Sequence, residues 1–388
     1  MAENTITGLV PDIYEALDVV SRELTGMIPA VTMAASSERA EVGQNIRVDV
    51  EPVGNVANIT PAMVVPDPTG QTSGSTDIVI TKSRAAEFGF NGENQKGLDT
   101  GAGYQNVRAA KIAQAIRAVC NEVELDLANL QSTFGQSYGT AGTTPFGTAN
   151  DYTDASNVLK ILKDNGAPLS DNQLVLNTAA GANFIGKQSA VNSAGTDSML
   201  RQGVLLDLAG MPLRESAQIA QHTAGTLAGA AEINNTGYAV GTTVLTFKAG
   251  GTGGLVAGDI IQFANDTTRS YQVASATFAG ANPAVGDTVT LVVGLKVALP
   301  ASTVGVAMQA ASARNMAFNR SALVLASRAP ARPSEGDMAE DVILITDPRS
   351  GLTMEFAMYK GYRKVRYEVG LAWGVKNIKP EHTALLLG

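Results

Sequence analysis

The sequence predicts an α+β fold, and three features of its hydrophobic pattern support that prediction. Residues 104–134 have apolar side chains at helical spacing over an unusual length. Residues 45–51 and 76–83 alternate apolar and polar side chains, as paired strands do. Residues 223–313 contain only short apolar runs separated by Gly-rich turns, which is typical of a small β unit inserted into the chain.

The composition excludes several classes of protein. The chain has 388 residues, only 16% of them charged, and a formal net charge of −8. Low charge predicts that copies of the chain cover each other's surfaces. The acidic balance, with no basic run recognised, argues against a domain that binds nucleic acid. Neither a signal peptide nor a membrane span is expected. The single cysteine, Cys120, excludes an intrachain disulfide framework and is expected to be buried.

The first 44 residues form an N-terminal arm. Pro11 suits the first turn of a short helix that ends near residue 24. Asp12, Glu15 and Asp18 give this helix an acidic face, and we predict that a scaffold helix docks there. Residues 27–44 are rich in Ala and Ser, and their pattern predicts little regular structure.

The strand pair 45–51 and 76–83 predicts a long hairpin. The connecting residues 52–75 are too many for a tight turn and are rich in Pro, Gly and Thr. A two-stranded arm is only marginally stable by itself. We therefore expect the hairpin to lie on a partner chain.

The helix predicted at residues 104–134 carries its charges in an unfavourable order. The first half is basic and the second half is acidic, which is the reverse of what the helix dipole favours. Two interpretations remain open: the charges face solvent, or they meet complementary surfaces of neighbouring copies. The residues concerned are Arg108, Lys111, Arg117, Glu122, Glu124 and Asp126.

Residues 181–188, GANFIGKQ, nearly match a phosphate-binding loop and follow the predicted strand 173–177. Gln188, however, replaces the hydroxyl residue that binds magnesium, although Asp347 could supply a second carboxylate. The favoured interpretation is the start of a helix that carries Lys187. Nucleotide hydrolysis is kept as a minor alternative function.

The inserted unit at 223–313 contains a repeated motif. Val256-Ala-Gly-Asp259 and Ala284-Val-Gly-Asp287 each predict a turn that begins a strand. Five strands are predicted, at residues 243–247, 259–263, 271–277, 288–293 and 304–308. Strands resume at 322–326, 341–345, 352–358 and 362–369. His222 and His382 have no partner pattern, so catalytic residues, cofactors and metal sites are all predicted to be absent.

The order of these parts resembles the major capsid proteins of tailed phages, which have the Hong Kong 97-type fold. The ending DVILITDPRSGLTMEFAMYKGYRKVRYEVGLAWGVKNIKPEHTALLL, with Lys379-Pro380-Glu381, is also similar to that family. The inserted β unit resembles that of short-tailed-phage coat proteins. The resemblance implies an arm (1–44), an extended E-loop hairpin (45–84), a peripheral domain with the spine helix (85–150, helix 104–134), an axial domain (151–222), an inserted β-barrel-like domain (223–313) and return strands (314–388).

The resemblance also implies the function: a coat protein, not an enzyme, that assembles into an icosahedral shell of hexamers and pentamers around phage double-stranded DNA. The implied partners are further copies of the chain, a separate scaffolding protein, a portal protein and the enclosed DNA, in a virion assembled in the bacterial cytoplasm. Arg47, Asp49 and Glu51 of the hairpin, with the six helix charges, are the predicted subunit contacts. Residues 52–75 contain no Lys, so no covalent E-loop crosslink is expected. An encapsulin-like compartment shell is the alternative.

Overall fold

A computed structural model describes residues 26–50, 58–59, 61, 74–99, 103–148, 151–188, 208–234, 237–248, 250–346 and 351–388. The predicted N-terminal helix with Asp12, Glu15 and Asp18 lies outside the described residues. So do Glu51, Asp347 and most of the hairpin loop.

The described residues form four α-helices and nineteen strands, with short 3-10 turns between them. The helices are α1 (Gly92–Asp99), α2 (Tyr104–Asn129), α3 (Thr153–Asp164) and α4 (Thr178–Gln188). The strands are β1 (Thr32–Ala40), β2 (Asn45–Val50), β3 (Gly74–Val79), β4 (Lys82–Asn91), β5 (Gln136–Tyr138), β6 (Asn172–Leu176), β7 (Leu213–Glu215), β8 (Ala231–Ile233), β9 (Val244–Lys248), β10 (Ile260–Phe263), β11 (Asp266–Thr277), β12 (Thr288–Leu291), β13 (Val304–Met308), β14 (Arg314–Asn319), β15 (Leu323–Pro330), β16 (Ala339–Thr346), β17 (Thr353–Gly361), β18 (Lys364–Asn377) and β19 (Thr383–Leu387).

The long helix packs against a six-stranded sheet. Strand β18 pairs with β17 over its first half and with β15 over its second half, while β4 runs along its opposite edge. The predicted apolar stripe of α2 is buried on this sheet, from Ile112 through Val123 to Leu127. The α-helix ends at Asn129, and a 3-10 turn continues it to Thr133. The helix prediction is therefore confirmed along most of its length.

Strand β1 corrects the interpretation of residues 27–44 as weakly structured. It pairs in parallel with β15, from Thr32 opposite Val324 to Ala40 opposite Pro330. Its sequence, TMAASSERA, has no apolar alternation. The neighbouring strand imposes the extended conformation, so no local pattern could have indicated it.

The hairpin prediction is confirmed in β2 and β3. The two strands form a separate two-stranded sheet, with Arg47 opposite Asp77. Ile78 is buried against the main sheet. Lys376 of β18 donates from Nζ to Thr76 Oγ1 at 2.7 Å and to the Asp77 carbonyl oxygen at 2.8 Å. These contacts fix one face of the hairpin and leave the other face exposed.

The inserted unit is a closed six-stranded barrel. Its strand order is β10-β13-β8-β9-β12-β11, and β11 pairs back with β10 to close the ring. Phe247, Phe263 and Tyr271 fill its interior. All six strands lie between residues 231 and 308, so the predicted β insertion is confirmed. Strand β11 also pairs with β5, which joins the barrel to a second sheet of β5-β19-β14-β6-β7.

The two repeated motifs of the barrel form the same turn. Gly258 and Gly286 have φ values of +92° and +98°, a region that favours glycine. In the first turn the Asp259 carboxylate accepts the Val256 N–H at 2.7 Å. In the second, Asp287 accepts the Ala284 N–H at 2.8 Å. The sequence repeat therefore encodes one device used twice to begin a strand.

The backbone of the hairpin lies in close contact with the main sheet at Gly374, and a substitution there tests this contact. A Cβ atom there would overlap the Val79 carbonyl oxygen and lie 3.1 Å from Ile80 Cα. We expect Gly374→Ala to lower the free energy of unfolding by about 1–3 kcal/mol, measured by thermal denaturation. Gly97→Ala is the control, because a Cβ in α1 meets nothing within 4 Å and an exposed helical Ala adds about 0.5–1 kcal/mol. Equal midpoints for the two variants would contradict the close approach.

Candidate assembly surfaces

The acidic half of α2 is held within its own chain. Asp126 accepts Trp373 Nε1–H at 2.8 Å and Lys82 Nζ at 2.8 Å. Glu122 lies 3.2 Å from both Lys82 Nζ and Arg84 Nε. The hydrogen bond to Asp126 is the main cause that raises the pKa of Lys82. Strands β4 and β18 therefore supply partners for both carboxylates within one chain, and a contact of Glu122 or Asp126 with a neighbouring copy stays a prediction.

Glu124 is buried, so the expectation that it lies on the surface of the helix is wrong. Its side chain is 1% exposed and accepts the Met27 N–H at 2.7 Å and the Ile28 N–H at 3.1 Å. Burial raises the pKa of Glu124, while hydrogen bonds from Met27, Ser216, Ile28 and Gly26 oppose that rise. The carboxylate thus ties the end of the N-terminal arm to α2.

The basic half of α2 is mixed. Arg108 is buried, with its guanidinium 5.8 Å from the centre of the Tyr104 ring. Tyr104 and Tyr367 form a hydroxyl–hydroxyl hydrogen bond of 3.2 Å, and burial, then that bond, raises the pKa of Tyr367 to about 12. The prediction of a subunit contact is therefore corrected for Arg108. Lys111 is exposed and Arg117 is half-buried, so both stay candidates.

The hairpin presents its predicted contact residues to solvent. The side chains of Arg47 and Asp49 are 71% and 82% exposed, and their nearest charged atoms are 4.0 Å apart. An ion pair this exposed contributes at most about 1 kcal/mol to stability. Folding of the single chain therefore does not require this charged face, and Arg47 and Asp49 remain the strongest of the predicted contacts.

A basic tip was missed in the sequence. Residues 360–366, KGYRKVR, carry four Lys or Arg side chains, so the expectation of a chain without a basic run is wrong. Tyr362 at the turn between β17 and β18 is 87% exposed. Lys360 pairs with Glu340, and Arg366 pairs with Glu87. The tip borders a cleft of about 660 Å³ whose lining includes Phe90, Glu93, Lys360, Arg363 and Lys364.

The near-match to a phosphate-binding loop is helical. Residues 181–188 lie inside α4, which already begins at Thr178. A phosphate-binding loop needs its glycines before the helix, so that free N–H groups can surround the phosphates. The N–H of Gly181 instead donates to the Asn177 carbonyl oxygen at 2.9 Å. The nucleotide interpretation is wrong, and the favoured helical interpretation is confirmed.

The described part of the chain holds no group of three His, Cys, Asp or Glu side chains placed to bind a metal. Its helices include none with the length and apolar character needed to cross a membrane. Cys120 is buried, as expected.

The elements follow a defined order along the chain. The end of the arm, which contacts α2, comes first, followed by the hairpin β2–β3, the long helix, a sheet with α3 and α4, the inserted barrel, and the return strands β14–β19. The hairpin, the long helix, the inserted barrel and the return strands follow one another in the order that the resemblance implied, while the arm up to residue 25 and most of the hairpin loop lie outside the described residues. This order of parts is similar to that of the Hong Kong 97-type fold.

Solved structures are similar to the chain over most of its length, at low sequence identity and with TM-scores below 0.5. No protein-family model and no curated protein sequence matches the chain. The capsid asymmetric unit of cyanophage A-1(L) is 9% identical over 94% of this chain and 92% of that chain, with a TM-score of 0.49. A structure of Mycobacterium phage Che8 is 14% identical over 90% and 88%, with a TM-score of 0.42. A virus-like particle from Pyrococcus furiosus is 9% identical over 98% and 100%, with a TM-score of 0.44.

The buried carboxylate predicts a distinctive pH dependence. Because the fold raises the pKa of Glu124, its titration contributes stability that is complete below the unfolded-state pKa of about 4.5. That contribution is lost as pH rises through the folded-state pKa. We expect the unfolding free energy of the wild type, minus that of Glu124→Gln, to fall as pH rises above about 4.5. Denaturant unfolding at each pH measures it, and a difference that rises with pH would contradict the assignment.

Proposed function

We propose that the chain is a major capsid protein of a tailed phage. Copies of it assemble into an icosahedral shell of hexamers and pentamers around double-stranded DNA, in the host cytoplasm, with a scaffolding protein and a portal protein as partners. The observation that carries the proposal is the hairpin, a two-stranded sheet with one face left open, in a chain with the parts of the Hong Kong 97-type fold. The main sheet covers one face of this two-stranded sheet, and the exposed face with Arg47 and Asp49 is available to a neighbouring copy.

The predicted domain boundaries belong to the same proposal. Residues 45–84 reach to a neighbour, residues 85–150 form the peripheral domain, and residues 151–222 with the return strands 314–388 form the axial domain at the capsomer centre. The barrel within residues 223–313 projects outward. The arm 1–44 carries Asp12, Glu15 and Asp18, which we propose as the scaffold-docking face.

The charges of the hairpin favour a head-to-tail contact between copies. Residues 49–77 carry four carboxylates and no Lys or Arg: Asp49, Glu51, Asp67 and Asp77. The basic tip carries the opposite charge. Within the described residues, Arg363 and Lys364 of the tip form no ion pair with an acidic side chain. The two charged regions are complementary, as docking partners in an assembly are.

Geometry places these two regions far apart in one chain. The hairpin is fixed to β18 near Lys376, while the tip lies at the other end of that strand, at Lys364. Twelve residues of extended strand span about 40 Å. Contact between the described charges, Asp49 or Asp77 and the tip, therefore needs two chains. A contact between different patches is heterologous and generates rings when its rotation closes.

Electron microscopy of the purified full chain tests the proposed function. Closed shells built of rings of five and six subunits are the expected result, obtained when the chain is produced together with its scaffold. A dispersed monomer under every assembly condition would contradict it. The nucleic-acid content of shells recovered from the native source separates the phage function from the compartment alternative, since a compartment shell would hold protein cargo instead of a genome.

Charge exchange tests the head-to-tail contact. Asp49→Lys with Asp77→Lys, and separately Arg363→Glu with Lys364→Glu, should each reduce the assembled fraction. Each exposed ion pair contributes about 0.2–1 kcal/mol, and a shell repeats the loss at every contact. Combining all four substitutions should restore assembly, as measured by sedimentation. Failure of the combined variant to recover, with each chain still folded, would overturn the pairing.

A further inference from the structure

A buried polar cluster lies at the neck of the inserted barrel. The chain enters the barrel at Gln221 and His222 and leaves it at Ser312 and Ala313. Gln221 bridges to Ala313, and the N–H of His222 donates to the Ser312 carbonyl oxygen at 3.0 Å. Both chain crossings thus meet at His222.

The His222 ring contacts the first of the two Gly-Asp turns. Its Nε2 atom lies 3.0 Å from Asp259 Oδ1, and Asp259 is fully buried. The same carboxylate accepts the Gly225 N–H at 3.0 Å and the Val256 N–H at 2.7 Å. A Cβ on Gly258 would lie 3.0 Å from His222 Cε1, so the imidazole packs directly on the turn. Asp259 therefore joins the entering chain, the turn and the histidine.

The second charged group of the cluster comes from outside the barrel. Arg314, at the start of β14, is 1% exposed and donates to the Gly258 carbonyl oxygen. Burial lowers the pKa of Arg314 to about 10, so it is charged at neutral pH. Gln272 Nε2 donates to the Gln131 carbonyl oxygen at 2.8 Å and to that of Gly258 at 3.2 Å. These contacts join the turn to the 3-10 segment that follows α2.

The charge state of the imidazole controls this cluster. Among the described residues, the charged groups that face it are Asp259 from the turn and Arg314 from β14. Burial, then Arg314, lowers the pKa of His222, while Asp259 opposes that change. At neutral pH a neutral ring donates Nε2–H to the carboxylate. A proton added at Nδ1 places a second buried cation beside Arg314, with no further carboxylate to balance it.

An added charge would enter a cluster in which some polar atoms already lack a hydrogen-bond partner. Arg314 Nε, Gln272 Oε1 and Ser312 Oγ are buried and have no hydrogen-bond partner among the described protein atoms. Unpartnered polar atoms weaken the junction relative to the fully bonded strands around it. Opening of the neck is therefore the local response that an added proton favours.

We propose that His222 is a protonation switch that fixes the inserted barrel to the end of α2 at neutral pH and loosens it on acidification. The sign follows from the lowered pKa of His222. The unfolded or opened state binds the proton more tightly, so the stabilisation is complete above the ordinary value of 6.5 and is lost as pH falls. Each pH unit between the two pKa values changes the opening equilibrium by up to about tenfold.

The second Gly-Asp turn is an internal control. Asp287 accepts the Ala284 N–H at 2.8 Å and the Ala279 N–H at 3.0 Å. The first of these bonds, from the residue three positions earlier, is the one that Asp259 also accepts from Val256. In the described residues no histidine or arginine contacts it. Acidification should therefore act on the first turn and leave the second unchanged.

Hydrogen exchange of the purified full chain, read by mass spectrometry at pH 7.5 and at pH 5.5 and corrected for intrinsic rates, tests the switch. Peptides that contain Gly225 and Val256 should exchange severalfold faster at the lower pH, while the peptide over 279–287 should not change. Equal protection of the first turn at both pH values, or an equal loss in both turns, would overturn the proposal. This comparison needs no variant and does not depend on whether the chain forms shells.

Two variants distinguish titration from packing. His222→Gln keeps a side-chain N–H donor without a titratable ring, and its first turn should exchange at the same rate at both pH values. His222→Ala should exchange rapidly at both. If His222→Gln retains the acid response of the wild type, another group carries the switch. His382 is the obvious candidate, because burial also lowers the pKa of that residue.

Discussion

Three carboxylates within little more than one turn of α2 hold several parts of the described chain together. Glu122 and Asp126 bind Lys82 of β4, Asp126 also binds Trp373 of β18, and Glu124 binds the backbone at Met27. One helix segment thereby fixes the end of the arm, strand β4 and strand β18. The hairpin depends on the same segment, because β3 leads directly into β4 and rests on β18.

This arrangement explains why the helix tolerates acidic residues near its negative end. The dipole disfavours them by about 0.3–1 kcal/mol each. Charge-assisted hydrogen bonds to Lys82 and to the indole of Trp373, in partly buried surroundings, contribute about 1.5–3 kcal/mol each and outweigh that cost. The acidic half of the helix thus finds stabilising partners within its own chain.

Local periodicity was enough to predict much of the fold. The apolar stripe from Ile112 to Leu127 indicates a helix by itself. The alternation of apolar and polar residues through Ile46 and Ile78 indicates two strands in the same way. Strand β1 and the burial of Glu124 could not be predicted, because both depend on partners far away in the sequence, at Val324 and Met27. The burial of Arg108 could not be predicted either, because it depends on the distant Tyr367, to which Arg108 donates a hydrogen bond. The basic tip differs: its four charges between residues 360 and 366 were visible in the sequence and needed only to be counted.

The barrel is closed upon itself, yet it shares a strand pairing with the rest of the molecule. Strand β5 lies between β19 of the second sheet and β11 of the barrel. Removing residues 223–313 would therefore strip one side of β5 and leave an open sheet edge with unpaired N–H and C=O groups. Such edges recruit strands from other chains and promote aggregation. The insertion thus covers the free edge of β5, whatever its outer surface contacts.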